Sequence, residues 1–368
     1  MKKIHLVLVT AWPPTRFHAG GQRQLDIYKY LKKTGAFELS LYSREVVTIS
    51  NQIDRNELSQ IFDNIHWAKS EILSGEELSS LSGRKVFDIL DLQHTESARK
   101  VKSFKPYARR LIYTPMESEI RNLLINLKNR KISKSSTKLA FQELMAIKIS
   151  DVLTPVSSSD EKYIKIFAPR KTFLINTPLP TEFLDAFSIG DMIEFEERSG
   201  VIFVAYFGSQ TNIDSLDWYV RNIHSDLVRK IPEMKLIIIG DKSDELRDRY
   251  TDQSIEILGR VGSLPPHVAR AKVAIAPSLY GSGFRGKINQ YSIMNIPTVA
   301  HKLSVSSLNY PAGSIMVCES PTEWINAISM LYLSREKNQE MGSLAKAHAL
   351  SFSLSYQKES ISRIYGNF

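Results

Sequence analysis

The chain has 368 residues, 43% of them hydrophobic, which is enough for two cores in domains of roughly 150–200 residues. No apolar run reaches the ~18–20 residues of a membrane span, and one cysteine, Cys318, excludes internal disulfides and a cysteine metal cluster and fits a reducing cytoplasm. The net charge of +9 is uneven: residues 1–185 hold 29 Lys/Arg against 20 Asp/Glu, whereas residues 186–368 hold 19 of each, so the first half is expected to face an anionic partner.

The opening Met1-Lys2-Lys3 followed by Ile4–Val9 is too short in its apolar part for a signal peptide, and Pro13-Pro14 replaces a small-residue cleavage site. Ile4–Thr10 therefore reads as a first buried strand, followed by a turn-rich loop ending in Gly20-Gly21 and a helix from about Gln22. That loop is a place where backbone could meet an acceptor; a plain turn is the alternative. Phe37–Tyr42 alternates as a strand, and residues 50–83 read as polar and helical. Val86–Leu92 is a buried strand delivering Gln93 and His94 to its carboxyl end, where open α/β sheets meet ligands. His94 is a site candidate, with a surface histidine capping the next helix as the alternative. Leu111–Tyr113 delivers Glu117 and Glu119 to the same edge, as polar contacts or as acidic residues favoured at a helix N-terminus. Residues 120–149 interleave Arg121, Lys128, Arg130, Lys131, Lys134, Lys138 and Lys148 with bulky apolar residues, a pattern that suits anionic lipid or a solvated face. Asp151–Val156 and Phe173–Ile175 read as strands. Residues 181–200 are acidic and irregular, placing the domain boundary at 185/186.

In the second half Val201–Phe207 leads to Gly208-Ser209, Leu236–Ile239 to Gly240, and Ile255–Leu258 to Gly259-Arg260-Val261. Val273–Ala276 is an unbroken apolar run ahead of Pro277-Ser278-Leu279-Tyr280-Gly281-Ser282-Gly283-Phe284-Arg285-Gly286-Lys287. Ile288, Tyr291 and Met294 then recur on one helical face, Asn295 suits a left-handed helix end, and Pro297 stops continuation. A glycine-rich loop feeding a helix N-terminus, with Arg285 and Lys287 beside it, is a candidate diphosphate cradle; an ordinary strand–helix turn is the alternative. Strands alternate with helices in both halves, giving an α/β chain of two doubly wound parallel sheets facing across a cleft.

This order of residues resembles the donor-binding half of GT-B glycosyltransferases, most closely the large retaining family numbered 4. Asp151–Ser157 and Gly20-Gly21 are similar to that family's amino-terminal half. The resemblance implies two Rossmann-like domains, here 1–185 for the acceptor and 186–368 for a nucleotide-sugar donor, with the last helix crossing back to the first. It implies Arg285 and Lys287 on the diphosphate, the turn at Gly259-Arg260-Val261 on the base, and Gly208, Ser209, Gly240, Gly281, Ser282, Gly283, Phe284 and Gln290 around the donor. His94 joins Arg285 and Lys287 as the catalytic set, and Gly20, Gly21, Gln93 and Glu117 fall on the acceptor side. Retention of configuration is implied, with neither cofactor nor metal, and no Asp-x-Asp is present. The family's two glutamates would fall at Ser282 and Gln290, so both carboxylates are replaced; Ser209-Gln210-Thr211-Asn212 replaces a basic pair. The expected partners are a lipid-linked or polysaccharide acceptor in cell-surface glycan synthesis and the anionic inner membrane face, with the chain peripheral and cytoplasmic. No nucleic-acid motif is present. The alternatives are a sugar-nucleotide 2-epimerase of the same fold, which needs no anionic lipid, and a non-catalytic relative acting as a scaffold.

Overall fold

Short apolar runs bounded by glycine, proline and polar turns form strands that are covered on both faces, as a parallel sheet requires. The computed structural model describes residues 3–16, 19–45, 53–128, 133–189, 193–280 and 284–366. The chain divides into two compact units, Met1–Pro178 with Leu354–Phe368, and Leu179–Ser353.

The first unit holds β1 (Ile4–Thr10), β2 (Phe37–Arg44), β3 (Asn64–Ala68), β4 (Phe87–Gln93), β5 (Ala108–Thr114) and β6 (Val152–Leu153). They pair in parallel in the order β3-β2-β1-β4-β5-β6. The order reverses between β1 and β4, which brings the loop after Thr10 beside Gln93 and His94. Ala11 accordingly donates its N–H to Ser97 Oγ at 2.7 Å. The strand β3 lies within the stretch expected to be helical. As an edge strand it is only partly covered, so its residues lack the apolar signature of a buried strand. Phe173–Ile175 stays extended and bonded to Leu153 and Pro155, with a single bridge at Thr172, rather than forming a strand.

The last helix, Leu354–Tyr365, packs Ile361, Ile364 and Tyr365 into the core of this unit with Leu6, Leu8 and Ile89. Its Tyr365 hydroxyl donates to Asp91 Oδ2 at 2.9 Å. Asp91 is fully buried and also accepts from Tyr28 (3.0 Å), Gln93 Nε2 (2.7 Å) and Thr114 Oγ1 (2.8 Å). The buried Arg23, which donates to the Ile175 carbonyl at 3.2 Å, lies within the influence of the same carboxylate.

The basic stretch at 120–149 forms two helices, Glu119–Lys128 and Lys134–Ile149. Arg121 does not belong to their outer surface. It is buried and pairs with Asp160 at 3.1 Å, an acid held at a helix start by Ser157. Arg130 and Lys131 lie outside the described residues.

The second unit holds β7 (Val201–Val204), β8 (Leu236–Ile239), β9 (Ile255–Gly259), β10 (Val273–Ala276), β11 (Thr298–Ala300) and β12 (Met316–Val317). Their parallel order is β12-β11-β10-β7-β8-β9, reversing between β10 and β7. The unit begins at residue 179, not at 186, because the segment expected to be irregular opens as the helix Thr181–Ile189. Phe183 is fully buried there among Ile202, Ile239 and Tyr291, so burial assigns the helix to the second core.

Candidate functional site

Each sheet gathers candidate residues at its switch point. In the first, His94 follows β4 with φ of 70°, a left-handed conformation uncommon for a side-chain-bearing residue. Its N–H donates to the Thr114 carbonyl at 3.1 Å, which continues the sheet bonding one residue beyond the strand. This backbone turn presents His94 to a pocket of about 350 Å³ that is also lined by Trp12, Thr95, Glu96, Met116, Glu117 and Glu119. Burial, and then the neighbouring charge of Glu117, push the Glu119 carboxyl up to about 7. The pocket thus carries a carboxyl that can hold or release a proton near neutrality.

Gln93 is not part of this pocket's lining. Its side chain is fully buried and donates to Asp91, so it belongs to the core network and not to the acceptor side. Gly20 and Gly21 are also placed differently from the expectation. The helix Ala19–Lys33 begins before them, so they form its first turn and not a loop, and Gly21 is buried. Helix N-termini do present backbone N–H groups, so the position keeps the character that made it a candidate. Trp12 was missed by sequence reading, although an aromatic residue directly after a buried strand and before Pro13-Pro14 was its available signal. Trp12 is 38% exposed, lines this pocket and a second one of about 360 Å³, and lies under the Arg44 guanidinium at 5.6 Å.

In the second unit the end of β8 requires glycine. Gly240 has φ of 145°, and a Cβ there would lie 1.7 Å from the Ala205 carbonyl oxygen, so β8 and the β7 exit approach as closely as backbone allows. Gly208 sits beneath the Tyr206 ring, whose hydroxyl a Cβ would meet at 2.2 Å. Ser209 follows at the start of the helix Gln210–Tyr219, and Arg260 is exposed with Val261 half-buried after Gly259.

The helix Gly286–Ile293 begins at the β10 exit, as the loop's sequence predicted, and ends with Asn295 at φ 60°. Its buried face is Ile288, Asn289, Tyr291, Ser292 and Ile293, and Gln290 is half-buried. Arg285 stands at the cap position and donates to the Tyr280 carbonyl at 3.3 Å. The Lys287 ammonium lies 4.7 Å from the centroid of the Phe203 ring on β7. Part of the residue remains accessible, but the ammonium is enclosed, and its pKa is pushed down to about 7 by desolvation and then by the Arg285 charge. Tyr280 donates its hydroxyl to Asp214, tying the β10 loop to the helix after β7. Phe284 packs against the core, its ring 5.8 Å from that of Phe352, so its main contact is internal and not at the loop surface. Gly281, Ser282 and Gly283 lie outside the described residues. Among the described residues no group of three His, Cys, Asp or Glu is placed to hold a metal ion.

The family model described as Glycosyl transferases group 1 matches residues 198–334, which contain the whole β7–β12 sheet and the Lys287 helix. A search of curated protein sequences gives no match. Solved structures match across both units. A sucrose-phosphate synthase from Thermosynechococcus elongatus is 12% identical, with 99% of this chain and 98% of that one covered and a TM-score of 0.72. A glycosyltransferase from Rickettsia africae is 14% identical over 100% of both chains, with a TM-score of 0.68. HepE of Anabaena, solved with UDP and glucose, gives the same identity, coverage and TM-score. At these identities the structural matches establish the fold, and the family match is confined to residues 198–334 of the second unit. The chain therefore shares the two-unit GT-B fold of these structures, and the glycosyl transferases group 1 model matches within its second unit.

Proposed function

We propose that the chain moves a sugar from a uridine diphosphate sugar to a lipid-linked or polysaccharide acceptor in cell-surface glycan synthesis, with retention and without a metal. The observation that carries this reading is the Lys287 ammonium, enclosed at the start of a helix inside the family match and beside the β7 exit. A cation, a helix N-terminus and Arg285 together offer the leaving diphosphate the positive field that a metal supplies in other transferases. UDP is favoured over other nucleotides because HepE, with the same two-unit fold, was solved with it. The surplus charge of the first unit suits an acceptor at an anionic, cytoplasmic membrane face, where the protein would be peripheral: among the described residues no helix is long and apolar enough to cross a membrane.

The deciding experiment is a thermal-shift series with UDP, GDP, CDP and dTDP in excess chelator. A ligand at ~100 times its dissociation constant adds about 2.7 kcal/mol, so UDP should raise the melting temperature clearly while chelator changes nothing. No shift with any nucleotide would overturn the donor assignment. A shift that needs manganese would overturn metal independence.

His94 is expected to act on turnover and not on nucleotide affinity, because it belongs to the first unit while the diphosphate residues belong to the second. His94→Ala should lower the transfer rate on the order of a hundredfold, the scale of a misplaced reacting group, and leave the UDP shift intact. His94→Gly separates side-chain loss from backbone strain, since glycine accepts the positive φ. Full turnover in both variants would remove His94 from the site.

A further inference from the structure

We infer that a groove between residues 99–103 and the helix Lys134–Ile149 is the surface through which the first unit rests on an anionic lipid bilayer. The inference rests on the membrane reading above and gives it a location. The groove has a volume of about 480 Å³ and is lined by Arg99, Lys100, Val101, Lys102, Ser103, Phe141 and Met145. Its floor is apolar, and Phe141 is 64% exposed, the most exposed phenylalanine among the described residues.

The helix that forms one wall is sorted by face. Lys134, Lys138, Phe141, Met145 and Lys148 recur at helical spacing on one side, and all but Met145 are exposed. The opposite side buries Ala140, Glu143, Ala146 and Ile147. Glu143 is the only acid of this helix, and it is turned inward to accept from Ser118 Oγ and the Ile120 N–H. The other wall, residues 99–103, contains no acid, and Arg99, Lys100 and Lys102 are exposed. Six cations therefore frame an apolar floor, and no salt bridge among the described residues engages them.

This combination selects the occupant. An anionic headgroup layer supplies charge to the rim, and its acyl boundary receives Phe141 and the floor. Nucleic acid would use the cations but leave the apolar floor against a charged backbone.

The test is co-sedimentation of the full chain with vesicles of phosphatidylcholine, alone or mixed with phosphatidylglycerol. Binding is expected only to the mixed vesicles, and it should be released by high salt. The variant Arg99→Gln/Lys100→Gln/Lys102→Gln should bind at least ~10-fold more weakly with a flatter salt dependence. Phe141→Ser should weaken binding while keeping the salt dependence, which a purely electrostatic surface would not show. The UDP thermal shift, measured on every variant, reports that the second unit is intact, and circular dichroism reports the fold of the whole. Wild-type binding by both folded variants would overturn the groove. Absence of wild-type binding to mixed vesicles would overturn it as well, while a UDP shift would leave the transferase reading standing. Binding to an acidic peptide or a DNA duplex but not to vesicles would also overturn it.

Discussion

Lys287→Ala is expected to weaken binding of UDP by roughly ten- to a hundredfold, the ~1.5–3 kcal/mol scale of a charge-assisted contact. The pH dependence makes the expectation more specific. In the empty protein the ammonium is enclosed over Phe203, and desolvation followed by the Arg285 charge lowers its pKa from 10.5 to about 7. A bound diphosphate favours the protonated form, so binding above neutrality must take up a proton. UDP affinity should therefore fall as pH rises above about 7, towards tenfold per unit at the limit. Calorimetric titrations in two buffers of different ionisation enthalpy measure that uptake directly. Lys287→Arg should bind with little pH dependence in this range, since a guanidinium stays charged.

The same group sets a sign for stability. The unfolded chain keeps this proton up to about 10.5 and the folded chain releases it above about 7, so the unfolded state binds more protons between those values. The contribution of Lys287 to stability thus rises with pH across that window and is least favourable below it. Lys287→Met should melt at a higher temperature than the wild type near neutral pH and bind UDP less well. Gain of stability with loss of binding marks a residue held at a cost for function. Wild-type UDP affinity in Lys287→Ala would remove the diphosphate cradle.

The second large effect concerns the first unit. Asp91→Ala should destabilise it by about 3–5 kcal/mol, the cost of breaking a buried charged network from one side. Four donors, from Tyr28, Gln93, Thr114 and Tyr365, lose their acceptor at once, and the buried Arg23 loses the nearby countercharge. At ~2–4 °C per kcal/mol for a unit of this size, the melting temperature should drop by about 10 °C. Tyr365→Phe, which removes one donor and keeps the packing, should cost only about 1 kcal/mol. Scanning calorimetry on both variants gives the comparison. Equal and small losses would mean that the last helix is held by apolar burial alone, through Ile361 and Ile364.

The Gln93 placement changes how the β4 exit should be tested. Its amide belongs to the Asp91 network, so a Gln93 variant would report core stability, whereas His94, one residue on, lines the pocket with Glu117 and Glu119. Glu119, with its carboxyl pushed up to about 7, changes charge near neutrality on this edge.

The amino-acid sequence by itself determined what depends on neighbours along the chain. Apolar runs such as Val273–Ala276 became strands, Gly286–Ile293 became a helix, and Asn295 took the left-handed end expected of it. Those outcomes follow from steric limits on φ and ψ, from helical periodicity and from the missing N–H of proline, all of which are local. Only the tertiary structure decided which side chains lose water and to whom they turn. Arg121 read as one cation of a basic stretch, but Asp160 from a later helix buries and neutralises it. Arg99, Lys100 and Lys102 drew no notice until they faced the helix Lys134–Ile149 across a groove. The charge of Lys287 was legible, yet its lowered pKa was not, because the ring that encloses it comes from β7. The helix Thr181–Ile189 looked like a linker until Phe183 found the second core. Desolvation and charge pairing depend on distance in space, and residues as far apart in the chain as Asp91 and Tyr365 meet only after the sheet order is set.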